Sequence, residues 1–215
     1  MGSLDYHSNI RHDILPLVDK KPGQRVLEIG CGTGNTLAFL KENGFASYVA
    51  GIEKEKKCFK SINPAVDKMI EGNAESLEIP FEAKFDAVLL LDVLEHLYSP
   101  FDLLKKVRPL LTPSGYVVVS IPNIRNYAVL KRLILKGRWD YKDSGVLDRS
   151  HIRFFTRRSF LDALTQEGIN MKLLDYRPNM ENYGKALKLI PFLKEFFVCQ
   201  HVFKFQFRGS GDDRK

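Results

Sequence analysis

Cysteine is scarce in this 215-residue chain: only Cys31, Cys58 and Cys199, at spacings of 27 and 141. An odd set so widely spread builds neither a disulfide framework nor a zinc knuckle, and it fits a reducing, cytoplasmic setting. Long apolar runs are missing as well. The longest are five or six residues, as in Ala87–Leu91, against the roughly 20 needed to cross a bilayer, so no transmembrane segment is expected. No basic-then-apolar leader opens the sequence, and Tyr6 stands where a myristoylation signal takes Ser or Thr, so no export or lipid address is expected. Repeats, low-complexity tracts and Pro/Gly/Ser linkers are absent too. With 44% hydrophobic residues, the chain reads as a single domain spanning 1–215 with a full core. Acidic charge thins out toward the C-terminus: residues 1–122 hold 14 Lys and Arg against 16 Asp and Glu, residues 123–215 hold 19 against 10.

What is present is alternation. Short β-rich runs at Arg25–Ile29, Tyr48–Glu53, Asp67–Glu71, Phe85–Leu91 and Tyr116–Ile121 are each followed by helix-forming sequence, the pattern of a parallel sheet covered on both faces. A helix near Arg158–Glu167, a strand Met171–Tyr176 and a last strand Val202–Phe207 follow, the last two expected as a hairpin-like pair. The fold expected is α/β, a doubly wound, mostly parallel seven-stranded sheet. Residues 1–24 form an N-terminal helical cap in this reading. The stretch 123–157 is too long for a plain crossover and reads as an inserted lid or acceptor platform after strand five.

The first strand runs into Gly30-Cys31-Gly32-Thr33-Gly34 and then a helix near Asn35. Glycines there allow a tight turn and let a ligand approach bare backbone N–H groups. A dinucleotide fingerprint needs G-x-G-x-x-G, whereas the spacing here is G-x-G-x-G with Glu28 two residues ahead, which disfavours NAD. Cys31 reads as a small residue in a tight loop with no basic pair to make it a nucleophile.

These details resemble the first motif of class I S-adenosylmethionine-dependent methyltransferases, and the likeness extends over about residues 6–208. It continues in Glu53 at the end of strand two, in Gly72-Asn73-Ala74 with the residues up to Phe81, in Lys84–Val88 followed by Asp92–Leu97, and in Leu111–Tyr116. The resemblance implies a Rossmann-like fold with S-adenosylmethionine as cofactor. It assigns cofactor contacts to Arg11, Glu28, Gly30, Cys31, Gly32, Gly34, Glu53, Asn73, Ala74 and Leu91. Arg11, placed on the N-terminal helix, would face the methionine carboxylate, and Glu53 would accept both ribose hydroxyls. Asn73 stands where the family usually has Asp, and its amide carbonyl would meet the adenine edge.

Enzymes acting on base amines carry Asn or Asp, then Pro-Pro and an aromatic, after strand four; here that place reads Leu91-Asp92-Val93-Leu94. Cytosine C5 enzymes need a cysteine nearby, and none lies between Cys58 and Cys199. Nucleic acid is therefore disfavoured as acceptor despite the positive charge. The segment Trp139–Thr156, with Gln200–Phe203, resembles the methyltransferase 11/23 group, including the ubiquinone-pathway O-methyltransferases. That implies O-methylation of a hydroxyl on a small-molecule or glycan-like acceptor, anionic in one reading. His151 is the candidate general base, since imidazole titrates nearest neutrality.

Asp92, Glu95 and His96 stand at i, i+3 and i+4, one face of a helix expected after strand four. With His151 from the insert they resemble the four-ligand set for a magnesium-type ion in small-RNA 2'-hydroxyl and ubiquinone-pathway methyltransferases. Magnesium or manganese would suit such donors. Two other functions stay open: a catalytically silent adenosylmethionine-binding interaction subunit, and an NAD(P)-dependent oxidoreductase. The basic stretches 130–138 and 185–197 interleave cations with apolar residues. They read either as amphipathic helices packed on the sheet or as cationic surfaces for an anionic acceptor or membrane. Nothing in the sequence sets an oligomeric state.

Overall fold

A computed structural model describes residues 9–180 and 191–208, without the side chains of 191–193. Seven strands, β1 (Arg25–Ile29), β2 (Tyr48–Glu53), β3 (Lys68–Glu71), β4 (Phe85–Leu91), β5 (Leu111–Pro122), β6 (Met171–Met180) and β7 (Val198–Phe207), form one sheet in the order β3-β2-β1-β4-β5-β7-β6. β7 runs antiparallel to both neighbours, and the other pairings are parallel. The helices are α1 (Asn35–Glu42), α2 (Pro100–Val107), α3 (Tyr127–Lys136) and α4 (Arg157–Gln166).

Both faces of the sheet are covered, which is why its central strands read as nearly continuous apolar runs. Leu27, Ile29, Val88, Leu90, Phe203 and Phe205 pack with Leu103 and Leu104 of α2 and Phe160 and Leu164 of α4. Val26, Val49, Leu89 and Val118 pack on the other side with Leu37 and Leu40 of α1 and with Ile14 and Leu17. Strand order reverses at β1, flanked by β2 and β4. The carboxyl ends of β1 and β4 therefore open a crevice between crossovers that leave to opposite sides. No helix among the described residues is long and apolar enough to cross a membrane.

Four expectations need correction. The expected N-terminal cap is, in its described part, a six-residue 3-10 helix, His12–Leu17, containing Pro16; proline has no N–H to give to an α-helical ladder. Arg11 stands just before that helix rather than on it. The helix expected to carry Asp92, Glu95 and His96 is a three-residue 3-10 turn, Leu94–His96, which leaves Asp92 outside. The last strand pair is longer than its propensities suggest, because β6 pairs with β7 through Pro178, Asn179 and Met180, and a ladder partner overrides weak local preference. The helix α3, for which packing and an outward surface were both open, buries little of itself: Val129 is its only buried residue. Of the second basic stretch, residues 185–190 lie outside those described, and Pro191–Phe197 form a 3-10 helix rather than part of an amphipathic α-helix.

The insert is anchored at both ends. Asn123 bridges Phe155, α3 starts on Asn126, whose side chain accepts from Ala128 N–H, and ends at Gly137 with φ 59°. α4 then begins at a reciprocal Thr156–Ser159 capping box, a local signal that satisfies two helix-terminal donors.

Candidate active site

The glycine loop turns at the carboxyl end of β1. Gly30 has φ 76°, and a Cβ there would stand 2.6 Å from the Val93 side chain. Gly34 caps α1 with φ 80°, and a Cβ would meet Val66 at 2.7 Å. Any other residue would combine left-handed strain with a clash. The crevice beside this loop is lined by Arg11, Glu28, Gly30, Cys31, Gly32, Leu91 and Asp92, together with Asn9 and Thr36. Six residues expected at one ligand thus meet at one place, joined by Asp92, which was expected at the metal. Burial among carboxylates pushes the Cys31 thiol well up, so it stays neutral and acts by size.

Glu28 is the unusual group. It is 4% exposed, one carboxylate oxygen has no hydrogen-bond partner, and burial raises its pKa to about 8 against the pull of Arg11. A buried carboxylate left in this state calls for a cationic partner. The amino group of a methionine moiety would supply one, so the site fits S-adenosylmethionine by its donor chemistry.

Glu53, also buried, ends β2 with one carboxylate oxygen directed at the loop, Oε2 accepting from Gly32 N–H at 2.8 Å, while Oε1 accepts from Glu55 N–H in the turn after the strand at 2.9 Å. Gly72 N–H donates to the Glu53 carbonyl, which brings Asn73 and the buried Ala74 beside the same strand end. The Asn73 side-chain oxygen Oδ1 accepts from Glu75 N–H at 3.0 Å, so one of its two lone pairs serves the turn.

Asp92 leaves the expected metal set. It is the sole non-glycine with positive φ (56°) among the described residues, a conformation Asp tolerates better than most. Its carboxylate accepts from Arg11 at 2.7 Å, from the Ser120 hydroxyl at 2.8 Å and from the Gln200 amide. Arg11 also donates to Asp13 at 2.9 Å and to the Gln200 side-chain oxygen Oε1 at 3.0 Å. This network ties the N-terminal segment to the ends of β4, β5 and β7 beside the crevice. Ser120 and Gln200 were not candidates on sequence grounds; the Gln200–Phe203 likeness touched the region without giving a role. Only β7's antiparallel return, pairing Ile121 with His201, brings Gln200 there.

Glu95, His96 and His151 do come together, with one ligating atom from each within 4.8 Å of the others. His151 Nδ1 bonds the Val146 carbonyl at 3.0 Å and His96 Nδ1 the Ser150 carbonyl at 3.2 Å. Such bonds hold a proton on Nδ1 and leave each Nε2 as the donor atom. Glu95 is 1% exposed and both its carboxylate oxygens lack a partner. Burial raises its pKa well above the usual range. His151 Nε2 lies 4.0 Å from Glu95 Oε1. The insert is held over this cluster because Ile152 and Arg153 N–H both donate to the Glu95 carbonyl. A carboxylate and two imidazoles, two of the three buried and the carboxylate unsatisfied, fit a divalent ion with three protein ligands rather than four.

The family model described as a methyltransferase domain matches residues 5–173. Among curated proteins, the chain is 28% identical over 199 residues to a ubiquinone biosynthesis O-methyltransferase of Alkalilimnicola ehrlichii, covering 80% of this chain and 75% of that protein. It is 28% identical over 212 residues to the protein of the same description from Acinetobacter baylyi, covering 85% and 84%. In fold it is similar to the CcbJ methyltransferase of Streptomyces caelestis, with a TM-score of 0.65 at 16% identity over 96% of each chain. A Listeria monocytogenes structure described as an S-adenosylmethionine-dependent methyltransferase gives 0.63 at 19% identity, covering 92% of this chain and 96% of that one. The oxidoreductase and silent-subunit alternatives find no counterpart among these.

Proposed function

The chain belongs to the class I S-adenosylmethionine-dependent methyltransferases, and from that premise we propose that it methylates a hydroxyl on a small-molecule or glycan-like acceptor with the help of a divalent ion. The curated relatives named above support the oxygen acceptor. The observation that carries the reading is the buried, unpartnered Glu95 carboxyl facing two imidazoles.

S-adenosylmethionine would supply a methyl group on a sulfonium, an electrophile that any aligned nucleophile can displace. The protein's part is alignment, exclusion of water and removal of the acceptor's proton. Glu28 and Arg11 would oppose the two charged ends of the amino-acid moiety. Glu53 would offer carboxylate oxygens to the ribose while holding the Gly32 N–H that shapes the loop. Magnesium or manganese on Glu95, His96 and His151 would lower the pKa of a bound hydroxyl. In a metal-free reaction His151 takes the proton through Nε2, its Nδ1 being fixed on Val146. The three cysteines form no disulfide, which supports a cytoplasmic setting.

The test is turnover to S-adenosylhomocysteine against hydroxylated acceptors before and after exhaustive chelation. Loss of activity with EDTA, restored by manganese or magnesium, and its abolition in His96→Ala are expected. Full turnover after chelation would eliminate the ion and leave His151 as base, and turnover confined to amine acceptors would remove the oxygen assignment.

A further inference from the structure

The surface of α3 and the turn after it carries an inference independent of the acceptor and the ion. On a ten-residue helix, side chains seven apart share a direction. Val129 faces the protein, whereas Ile134 and Leu135 are 75% and 71% exposed. Tyr127, seven residues before Ile134, is exposed on the same side, and Trp139 and Tyr141 extend the patch beyond Gly137. Cations stand among them: Lys131, Arg132, Lys136 and Arg138 are all exposed, and residues 127–142 hold five Lys and Arg against one acidic residue, Asp140. Asp140 pairs with Arg138 at 3.0 Å, and Lys131 lies over the Tyr127 ring.

We propose that α3 and the Trp139–Tyr141 turn form a docking surface for an anionic membrane. Two aliphatic tips pointing outward, aromatic rings at the margin and a cationic surround match a headgroup layer with acyl chains just beneath it. A second copy of the chain is disfavoured, because a two-fold contact would set this cationic surface against itself. Nucleic acid would meet the cations but leave Ile134 and Leu135 without apolar partners. The helix, about 15 Å long, lies in the interface rather than spanning it. The docked element is joined to the chemistry: Trp139 packs edge-on against Phe154, whose ring lies 6.5 Å from that of His151.

The experiment is co-sedimentation of the full chain with vesicles of phosphatidylcholine alone and of phosphatidylcholine with phosphatidylglycerol. Binding is expected on the anionic vesicles only, falling steeply as salt rises from about 0.05 to about 0.5 M. Ile134→Glu with Leu135→Glu should lower the partition coefficient at least about tenfold by removing the inserted apolar area. Lys131→Glu with Lys136→Glu should lower it about twentyfold or more, at about fivefold per charge. Circular dichroism and adenosylmethionine binding unchanged in both variants will confirm that each is folded. The proposal is overturned if the wild type ignores anionic vesicles, or if the Ile134 and Leu135 variant binds them as well as wild type. It is also overturned if the patch instead drives a dimer that the same variant dissolves, or binds an RNA oligonucleotide in preference to vesicles.

Discussion

Replacing Glu28 by Gln separates what the crevice costs the empty protein from what it gives the ligand. In the folded chain the Glu28 carboxyl is raised from an ordinary value near 4.5 to about 8 by burial. Between those values the unfolded chain has released the proton and the folded chain has not. The folded state therefore binds more protons, and stability must fall as pH rises. At about 1.4 kcal/mol per pH unit, wild type should lose on the order of 4 kcal/mol between pH about 5 and 9 from this group alone. Gln keeps the shape but cannot ionise; its own unsatisfied amide costs about 1–3 kcal/mol at every pH and so cancels from the slope. Urea unfolding of both ligand-free proteins across that range is the assay, the slope difference being the quantity read. Adenosylmethionine binding should show the opposite trend. If a ligand cation pairs with ionised Glu28, affinity in wild type tightens up to about tenfold per pH unit as pH rises toward about 8, where the ligand's own amino group begins to lose its proton, and in the variant this rise is absent. Parallel stability profiles for the two proteins would refute the reasoning, since they would mean that Glu28 has the same pKa folded and unfolded.

Glu53→Ala should weaken adenosylmethionine binding by about 1.5–3 kcal/mol, roughly ten- to a hundredfold, measured by calorimetry in a variant shown to be folded; an unchanged dissociation constant would sink the ribose assignment. Acid should act through His201, whose pKa burial lowers to about 4 while its Nδ1 meets the Tyr176 hydroxyl at 2.8 Å. Its folded pKa lies below the unfolded value, so its contribution is present near neutrality and lost as pH falls, on the order of 3 kcal/mol between pH about 7 and 4. The paired change His201→Phe with Tyr176→Phe should flatten that part of the acid denaturation curve, and an unaltered acid slope would count against it.

Much of the molecule was legible in residue order. An apolar run such as Ala87–Leu91 needs cover on both faces, which dictates the parallel sheet, although β2 is followed only by the 3-10 helix Lys56–Ser61 and β3 by no helix. The Gly30–Gly34 spacing was legible because only glycine relieves the backbone and the close approach to Val93 and Val66. Those are local or periodic signals, and a sequence carries them at short range. Long-range juxtaposition was not legible. The i, i+3, i+4 spacing of Asp92, Glu95 and His96 presumed a helix, yet positive φ at Asp92 and a bond network reaching Arg11, Ser120 and Gln200 turn its carboxylate to the cofactor crevice. Gln200 lies 108 residues from Asp92, and nothing but the antiparallel return of β7 could bring it there. The outward face of α3 was equally undecided, since its amphipathic pattern is satisfied by packing or by a surface. Periodicity and turn chemistry fixed the elements; which side chains share a pocket and which face solvent was decided by the closure of the sheet and the seating of the insert upon it.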